Sequence, residues 1–395
     1  MRLLRTSLPV VLRKLLIAGV GLCAAGAAVV IAAGPAQGSS GGTVEYWGDT
    51  GNDELYAPVA LSLPGPVAEI GSSNSAEYAL LTNGTLYAWG VGTNGELGNG
   101  GTASSLDRPV QVDFPAGVRI ASIPTDVMPD NSAFAIDTTG HVWAWGYNPS
   151  GAFCLGSKQE YTTPVRLPFT GVSALAGGGN HATYDADGTL YSCGGNQYGQ
   201  LGDGSTQPST TPVRVDGLDG ERVTSLVASW CDTGAVLSDG EYYDWGYDGA
   251  GQLGDGRIGA SSDVPVRLGL PGPVTQAAEG GSLADNGQTL VLLSDGSVYA
   301  WGNDDHYQLG DGRTASEDLP EKILPPAGVT YRTLATGGNT SYAISTAGKV
   351  YAWGNGLVGQ LGDGLSTPAK QPVIILSRAT AISSTAADAV ASVGS

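Results

Sequence analysis

One short phrase, most often Tyr-Ala-Trp-Gly, returns seven times along this chain, at Trp47, Trp89, Trp145, Cys193 standing in the place of a Trp, Trp245, Trp301 and Trp353. Steps between copies run from 42 to 56 residues with a mean of 51, and a period in this range means supersecondary units stacked on one another as blades or solenoid turns. Each unit has an apolar flank that it cannot bury alone. The copies must therefore pack side by side around a shared core, and any account of function starts from a repeat scaffold.

Within one unit the pattern is that of strands. From Leu290 it reads Leu-Val-Leu-Leu-Ser, then Asp295-Gly296, then Ser-Val-Tyr-Ala-Trp301-Gly302, then a polar stretch ending Gln-Leu309-Gly310-Asp311-Gly312, then Pro320 and Ile323. Asp-Gly or Asn-Gly between apolar runs marks a hairpin, expected as a type I′ turn with positive φ at both central residues. It recurs at Asn83-Gly84, Asp187-Gly188, Asp239-Gly240 and Asp295-Gly296, with weaker forms at Thr139-Gly140 and Ala347-Gly348. The following strand alternates, so one face can pack on the neighbouring unit, and its Trp supplies a large buried area. Pro-Val-x-aliphatic re-enters β structure at Pro58, Pro109, Pro164, Pro212, Pro265 and Pro372, with Pro320 a looser copy; Pro is expected to start that strand, at the sheet edge. With 62 Gly and 22 Pro in 395 residues there is no room for long helices, and the fold class is all-β.

Asp203, Asp255, Asp311 and Asp363 of the Gly-Asp-Gly turns, with Asn99 in the second copy, invite a reading as a carboxylate ring. They are expected instead to bond their own backbone, because Asp and Asn in such turns do so and tolerate left-handed geometry.

The first 40 residues differ from the rest. Arg2, Arg5, Arg13 and Lys14 precede an uncharged run from Leu15 to Ala33 and the small residues Gly34, Ala36 and Gly38, the pattern of an export signal. Because the run of 19 residues is also long enough to cross a bilayer, the expected organisation is a cleaved signal over 1–36, with an anchor over 15–33 as the alternative, a linker over 37–42 and the repeats over 43–395. Cys23 follows the bulky Leu22 inside the apolar run, which argues against a lipoprotein. Cleavage would leave 14 Lys and Arg against 37 Asp and Glu, a charge of about −23. Nucleic acid is excluded as a partner, since its phosphates need a basic cluster; the acidity serves solubility outside the cell or draws a basic protein. Cys154, Cys193 and Cys231 lack CxxC or zinc spacing. Export permits one disulfide, for which Cys193 and Cys231, in successive units, are a candidate pair that the sequence alone does not establish; alternatively all three are small buried apolar residues.

Tyr-Ala-Trp-Gly-x-Asn-x-x-Gly-Gln-Leu-Gly-Asp-Gly resembles the repeat of the regulator of chromosome condensation family, most clearly at 191–204, 243–256, 299–312 and 351–364. The resemblance implies a seven-bladed β-propeller covering nearly everything from Thr43 onward. Departures are Cys193 for Trp, an insertion-disturbed stretch from Asn148 to Gly156, and a degenerate first copy from Gly51 to Tyr56. The family's recurrent His before the outer hairpin is matched by His181 alone, with Ala133, Thr233, Thr289 and Ser341 read as its counterparts, so a functional His ring is not expected. Val44-Glu-Tyr-Trp47 lacks the upstream hairpin strands of the other copies, and the C-terminal stretch from Ala379 to Val393 resembles that missing half. The two are expected to join in one composite blade, which removes exposed edges. Within the family, the secreted bacterial propeller-type β-lactamase inhibitory protein is the nearer analogy.

A catalytic constellation is not expected. His141, His181 and His306 are the three histidines, and no GxSxG elbow surrounds a Ser. Ser294-Asp295-Gly296 has the wrong spacing to Trp301 for an aspartate box, and neither Asp185-x-Asp187-Gly188 nor Asn303-Asp304-Asp305 continues into a closed calcium loop. Neither a metal nor a cofactor is called for. The stretch after each Trp-Gly varies while its flanks repeat, as on a rigid scaffold that displays recognition loops. Aromatic residues gather there: Tyr147, Phe153, Tyr198, Tyr247, His306 and Tyr307, joined by Trp230 from another connection. They are candidate binding anchors, against the alternative of local packing over the blade edge. The expectation is a secreted, monomeric, non-enzymatic scaffold that binds an extracellular or cell-surface protein through one face of loops. The runner-up is an extracellular hydrolase, lyase or glycan-binding protein acting on polysaccharide.

Overall fold

In the computed structural model, residues 26–27, 42–49, 54–123, 131–281, 287–385 and 387–393 are described. The strands fall into seven antiparallel sheets, each a meander from an inner to an outer strand, and no helix occurs among the described residues. Blades 2 to 7 span 67–111, 120–166, 172–214, 223–267, 274–323 and 331–376. Blade 1 is the composite expected from the sequence. Its inner strands are Ala381–Ser384 and Asp388–Ser392, its outer ones Gly42–Asp49 and Glu54–Leu63, with Val44 opposite Ser392 and Trp47 opposite Ala389. A two-residue strand, Gly26–Ala27, pairs with Gly281 and Gly280 of blade 6. The remainder of residues 1–41, on which the expectation of an export signal or anchor falls, lies outside the described residues.

Five of the six Trp of the repeat are straps between blades. Trp145, Trp245, Trp301, Trp353 and Trp47 are wholly buried and donate their indole N–H to the backbone carbonyls of Glu96, Gln200, Gln252, Gln308 and Gln360, at 2.7–3.0 Å, in the loop of the preceding blade. That packing explains the glycine two residues before the end of the loop motif. Gly202 has φ +68, and a Cβ there would lie 2.7 Å from Trp245 Nε1, so both backbone and space exclude a side chain.

Between blades 3 and 4 this strap is replaced by a covalent one. Counting from Asn148 as from Asn196, Cys154 occupies the glycine position, with φ +58, while Cys193 stands where the next Trp would press on it. The two form the disulfide, with Cα atoms 5.5 Å apart. The candidate Cys193–Cys231 pair is therefore corrected: Cys231 is buried outside any disulfide. One exchange of glycine and tryptophan for two cysteines explains both departures from the repeat.

Three further expectations change. Of the six hairpins only Asp187-Gly188 has positive φ at both residues, 53° and 77°. At Asn83-Gly84 the Gly84 amide bonds Leu81 and the Leu81 amide bonds Thr85, a three-residue loop in which Gly alone is left-handed, and the same pair of bonds recurs at Gly140, Gly240, Gly296 and Gly348. The prolines lie inside the outer strands, as Pro164 does in Tyr161–Arg166. They sit on the free edge, beside a register shift opposite Ala144 and Gly146, where a missing N–H is harmless. His181 pairs with Gly194, so its counterparts are Ser132, Asp232, Gln288 and Thr340, each opposite the Gly after Trp. Ala133, Thr233, Thr289 and Ser341 are one residue further on.

Candidate loop-face binding site

In every blade the connections from inner to second strand and from third to outer strand leave at the same end of the sheet. They form one loop face, while hairpins and blade-to-blade connectors form the other. The loops after Trp-Gly are held rigidly. Asn196 Oδ1 accepts from the Leu201 amide at 2.9 Å, and Asp248 and Asp304 do the same for Leu253 and Leu309 at 3.2 and 2.9 Å. Burial pushes the Asp248 carboxyl up to about 6 and the Asp304 carboxyl up to about 8. The turn residues Asp203, Asp255, Asp311, Asp363 and Asn99 each accept from the amide two residues on, as expected of backbone-bonded turns. In the two acidic stretches weighed for calcium, Asp185 is used by Ser173 and the Gly188 amide, and Asn303 by the Asp305 amide and Gln308. Asp311, Glu317 and Glu321 converge within ligating distance of one another, and all three pair with the Arg313 guanidinium.

On this scaffold the candidate anchors separate into groups. Tyr198 and Tyr247, from the loops of blades 4 and 5, meet edge to face with ring centroids 4.6 Å apart and are half-buried. Tyr307, also half-buried, has Lys370 Nζ 5.1 Å from its ring centroid, a cation–π contact between blades 6 and 7. Its φ of +65° puts it in the left-handed region at the position held by Gly199 in blade 4, where a Cβ would lie 2.4 Å from Asp263 Cα. A bulky residue there is unusual. His306 and Tyr147 are half-buried beside these loops. Phe153 and Trp230 are corrected: Phe153 is wholly buried against Phe134 and Tyr161, and Trp230, 3% exposed, lies over the backbone of Gly179. Both pack between elements and cannot act as surface anchors. Lys370 escaped the sequence reading; the pointer to it was Tyr307 itself, an aromatic in a glycine slot.

Charge is unevenly divided between the faces. Arg119, Arg166, Arg214, Arg222, Arg267, Lys322, Arg332, Lys349 and Arg378 all fall at strand ends or connectors of the hairpin face. Against them stand the exposed hairpin-face carboxylates Asp113, Asp187, Asp216, Asp219, Glu221, Asp239 and Asp295, which nearly balance that face. The loop face carries exposed Glu54, Asp107, Glu160 and Asp305 and half-buried Asp203, Asp255, Asp263, Asp311, Glu317, Asp318 and Asp363 against Arg108, Lys158, Lys370, Arg257 and Arg313, the last two engaged with neighbouring carboxylates. The loop face is thus the acidic one.

Comparison with known proteins bears on the repeats. The model of the regulator of chromosome condensation (RCC1) repeat matches residues 83–124, 187–233 and 295–344, each match opening at or beside a hairpin and running into the next blade. The chain is 29% identical over 295 residues to the ultraviolet-B receptor UVR8 of Arabidopsis thaliana, covering 73% of this chain and 65% of the receptor. It is 29% identical over 323 residues to the human E3 ubiquitin-protein ligase HERC2, covering 80% of this chain and 6% of the ligase. The chain thus spans under two thirds of either relative. Among solved structures, human WBSCR16 superposes with a TM-score of 0.78 at 20% identity over 90% of this chain and 99% of that one. Yeast RCC1 (Prp20) bound to Kap60 superposes with a TM-score of 0.76 at 20% identity over 90% of each. The chain is therefore a seven-bladed β-propeller that carries repeats of the regulator of chromosome condensation (RCC1) family.

Proposed function

We propose that this chain is an exported, non-enzymatic scaffold that binds a basic protein on its acidic loop face, with Tyr198 and Tyr247 as the central anchor. The observation that carries this reading is the joined pair of tyrosines from two blades on the face that bears the excess of carboxylates. Two rings presented by rigid loops add contact area at small entropic cost, and the carboxylates steer a cationic partner toward them. A yeast RCC1 structure contains Kap60, and another solved structure addresses the binding of Prp20p to Gsp1p and histones. Protein binding is thus a use of this architecture, and it does not name a target here. Export is supported by the leader sequence and by the Cys154–Cys193 disulfide, a bond that persists in oxidising compartments.

The test is capture of extracellular proteins of the producing organism on the immobilised chain. One protein should be retained, released by raised salt, and lost on the double substitution Tyr198→Ala and Tyr247→Ala while the melting curve is kept. Retention that survives both the salt and the double substitution would place the contact elsewhere.

A further inference from the structure

The seam between blades 5 and 6 is built unlike its counterparts. Asp244 precedes Trp245 where four other blades carry Ala before Trp. Glu279, opposite Thr289, stands where blades 1, 2 and 5 have Ser384, Ser72 and Ala228. Asp232, Asp244 and Glu279 are 2%, 0% and 1% exposed. The Tyr242 hydroxyl lies 2.5 Å from Glu279 Oε1 and 3.2 Å from Asp244 Oδ2. Gly234 makes the room: a Cβ on it would sit 2.2 Å from Tyr242 Oη and 2.3 Å from Glu279 Oε1. In blades 2, 3 and 7 the same place holds Tyr78, Phe134 and Tyr342.

The ring at this one place has thus been exchanged for the Tyr242 phenol with the Asp244 and Glu279 carboxyls, which stand where other blades carry Ala or Ser, while Asp232 takes the position of Ser132, His181, Gln288 and Thr340. The remaining oxygens Asp232 Oδ1, Asp244 Oδ1 and Glu279 Oε2 are buried and accept no hydrogen bond. Besides these residues, the Asp248 carboxylate in the adjoining loop and the backbone of Cys231 and Ser229 act on the cluster; the Ser229 amide donates to the Asp232 carbonyl at 3.1 Å. From blade 4 comes His181, bonded to Thr233 at 2.7 Å and kept neutral by burial, its value pushed down to about 3. Among the described residues no ammonium or guanidinium acts on the cluster. One phenolic proton cannot serve two carboxylates, and three buried anions without a cation repel one another.

We propose that this seam is a proton-held joint, in which Asp244 and Glu279 share protons with Tyr242 beside the buried Asp232 while the ring is closed, and that loss of those protons loosens blade 5 from blade 6. Burial holds all three carboxyls above their ordinary range, Glu279 at about 7. In the unfolded chain Glu279 loses its proton near its ordinary value of 4.5. Across that interval the folded state binds more protons, so stability falls as pH rises, and Asp232 and Asp244 act with the same sign.

The test compares melting temperatures of wild type, Glu279→Gln and Asp244→Asn between pH 5 and pH 8, in chelator and again with calcium. Glu77, buried beside Asp388 at the seam of blades 1 and 2, is raised with the same sign and persists in every variant, so the reading is the difference from wild type. Either variant should gain on wild type by roughly 3–5 °C from pH 5 to pH 8, and amide protection in 223–281 of wild type, taken relative to the intrinsic exchange rate at each pH, should fall over the same range. Melting curves that stay parallel in both variants would overturn the proposal. So would a rise of wild type with calcium that Glu279→Gln abolishes, which would make the cluster a cation site instead.

Discussion

At the scale of single residues, the seven copies of one phrase act as an internal control, because the same side chain meets different partners in different blades. Trp301 donates to Gln252 at 2.7 Å, whereas Trp89, equally buried at 1% exposed, has no acceptor for Nε1. The difference has a local cause: blade 1, which precedes Trp89, carries the degenerate copy of the loop that elsewhere supplies the carbonyl. Replacing each Trp by Phe removes the N–H and a ring edge from both. Trp301→Phe should therefore cost about 1–1.5 kcal/mol more than Trp89→Phe in chemical denaturation, the net value of a hydrogen bond with its carbonyl left unmet; equal losses would mean that the straps act through packing alone. The cysteine pair allows the opposite manipulation. Reduction of Cys154–Cys193, which closes a segment of 39 residues, should cost about 4 kcal/mol on the chain-entropy estimate. The double substitution Cys154→Gly with Cys193→Trp should restore the repeat's own strap and make the melting temperature indifferent to reductant. A double variant that melts like the reduced wild type would show that the two straps are not interchangeable.

At the scale of strands and turns, what was legible is what composition and period dictate, and what was not is what depends on counting to a single residue. Apolar runs flanking Asp-Gly located all six hairpins, since only a few residues tolerate the reversal. The turn type held at Asp187-Gly188 and failed at the other five because a strand's last pair is not marked in sequence: closing at Leu81 and Thr85 adds one residue to the loop and turns a type I′ expectation into a type I turn with a bulge. The counterparts of His181 slipped by one for the same reason, and in a strand one residue is the difference between opposite faces. Phe153 and Trp230 were misplaced because loop membership does not decide burial; both loops fold back onto the sheet. Cys154 was within reach of the sequence, since counting from Asn148 puts it on the glycine position. It was hidden because the Gln-Leu-Gly signature around it reads Ala152-Phe153-Cys154.

For the whole molecule the decisive step is closure, because a ring of stacked sheets is only as tight as the blade that joins its ends. Ala381–Ser384 and Asp388–Ser392 supply the inner half of blade 1, burying Ile382, Ala389, Val390 and Ala391 completely. The Ser383 hydroxyl meets Ser72 of blade 2 at 2.8 Å, and Ser72 in turn bonds Glu77. Ending the chain after Arg378 removes this burial, uncovers the edge of Gly42–Asp49, and takes Asp388 away from the buried Glu77. From the aliphatic side chains alone the loss is roughly 5 kcal/mol, so the melting temperature should fall by several degrees or more. The bared edge should also make the truncated chain associate in a concentration-dependent way. A synthetic peptide of residues 379–393, added in excess, should bind the open ring, raise its melting temperature and suppress the association, since it restores the missing strands without restoring the connection. A truncated chain that melts with the intact one, or a peptide that leaves it unchanged, would mean that the ring is held by the five seams among blades 2 to 7 and that the composite blade is not its clasp.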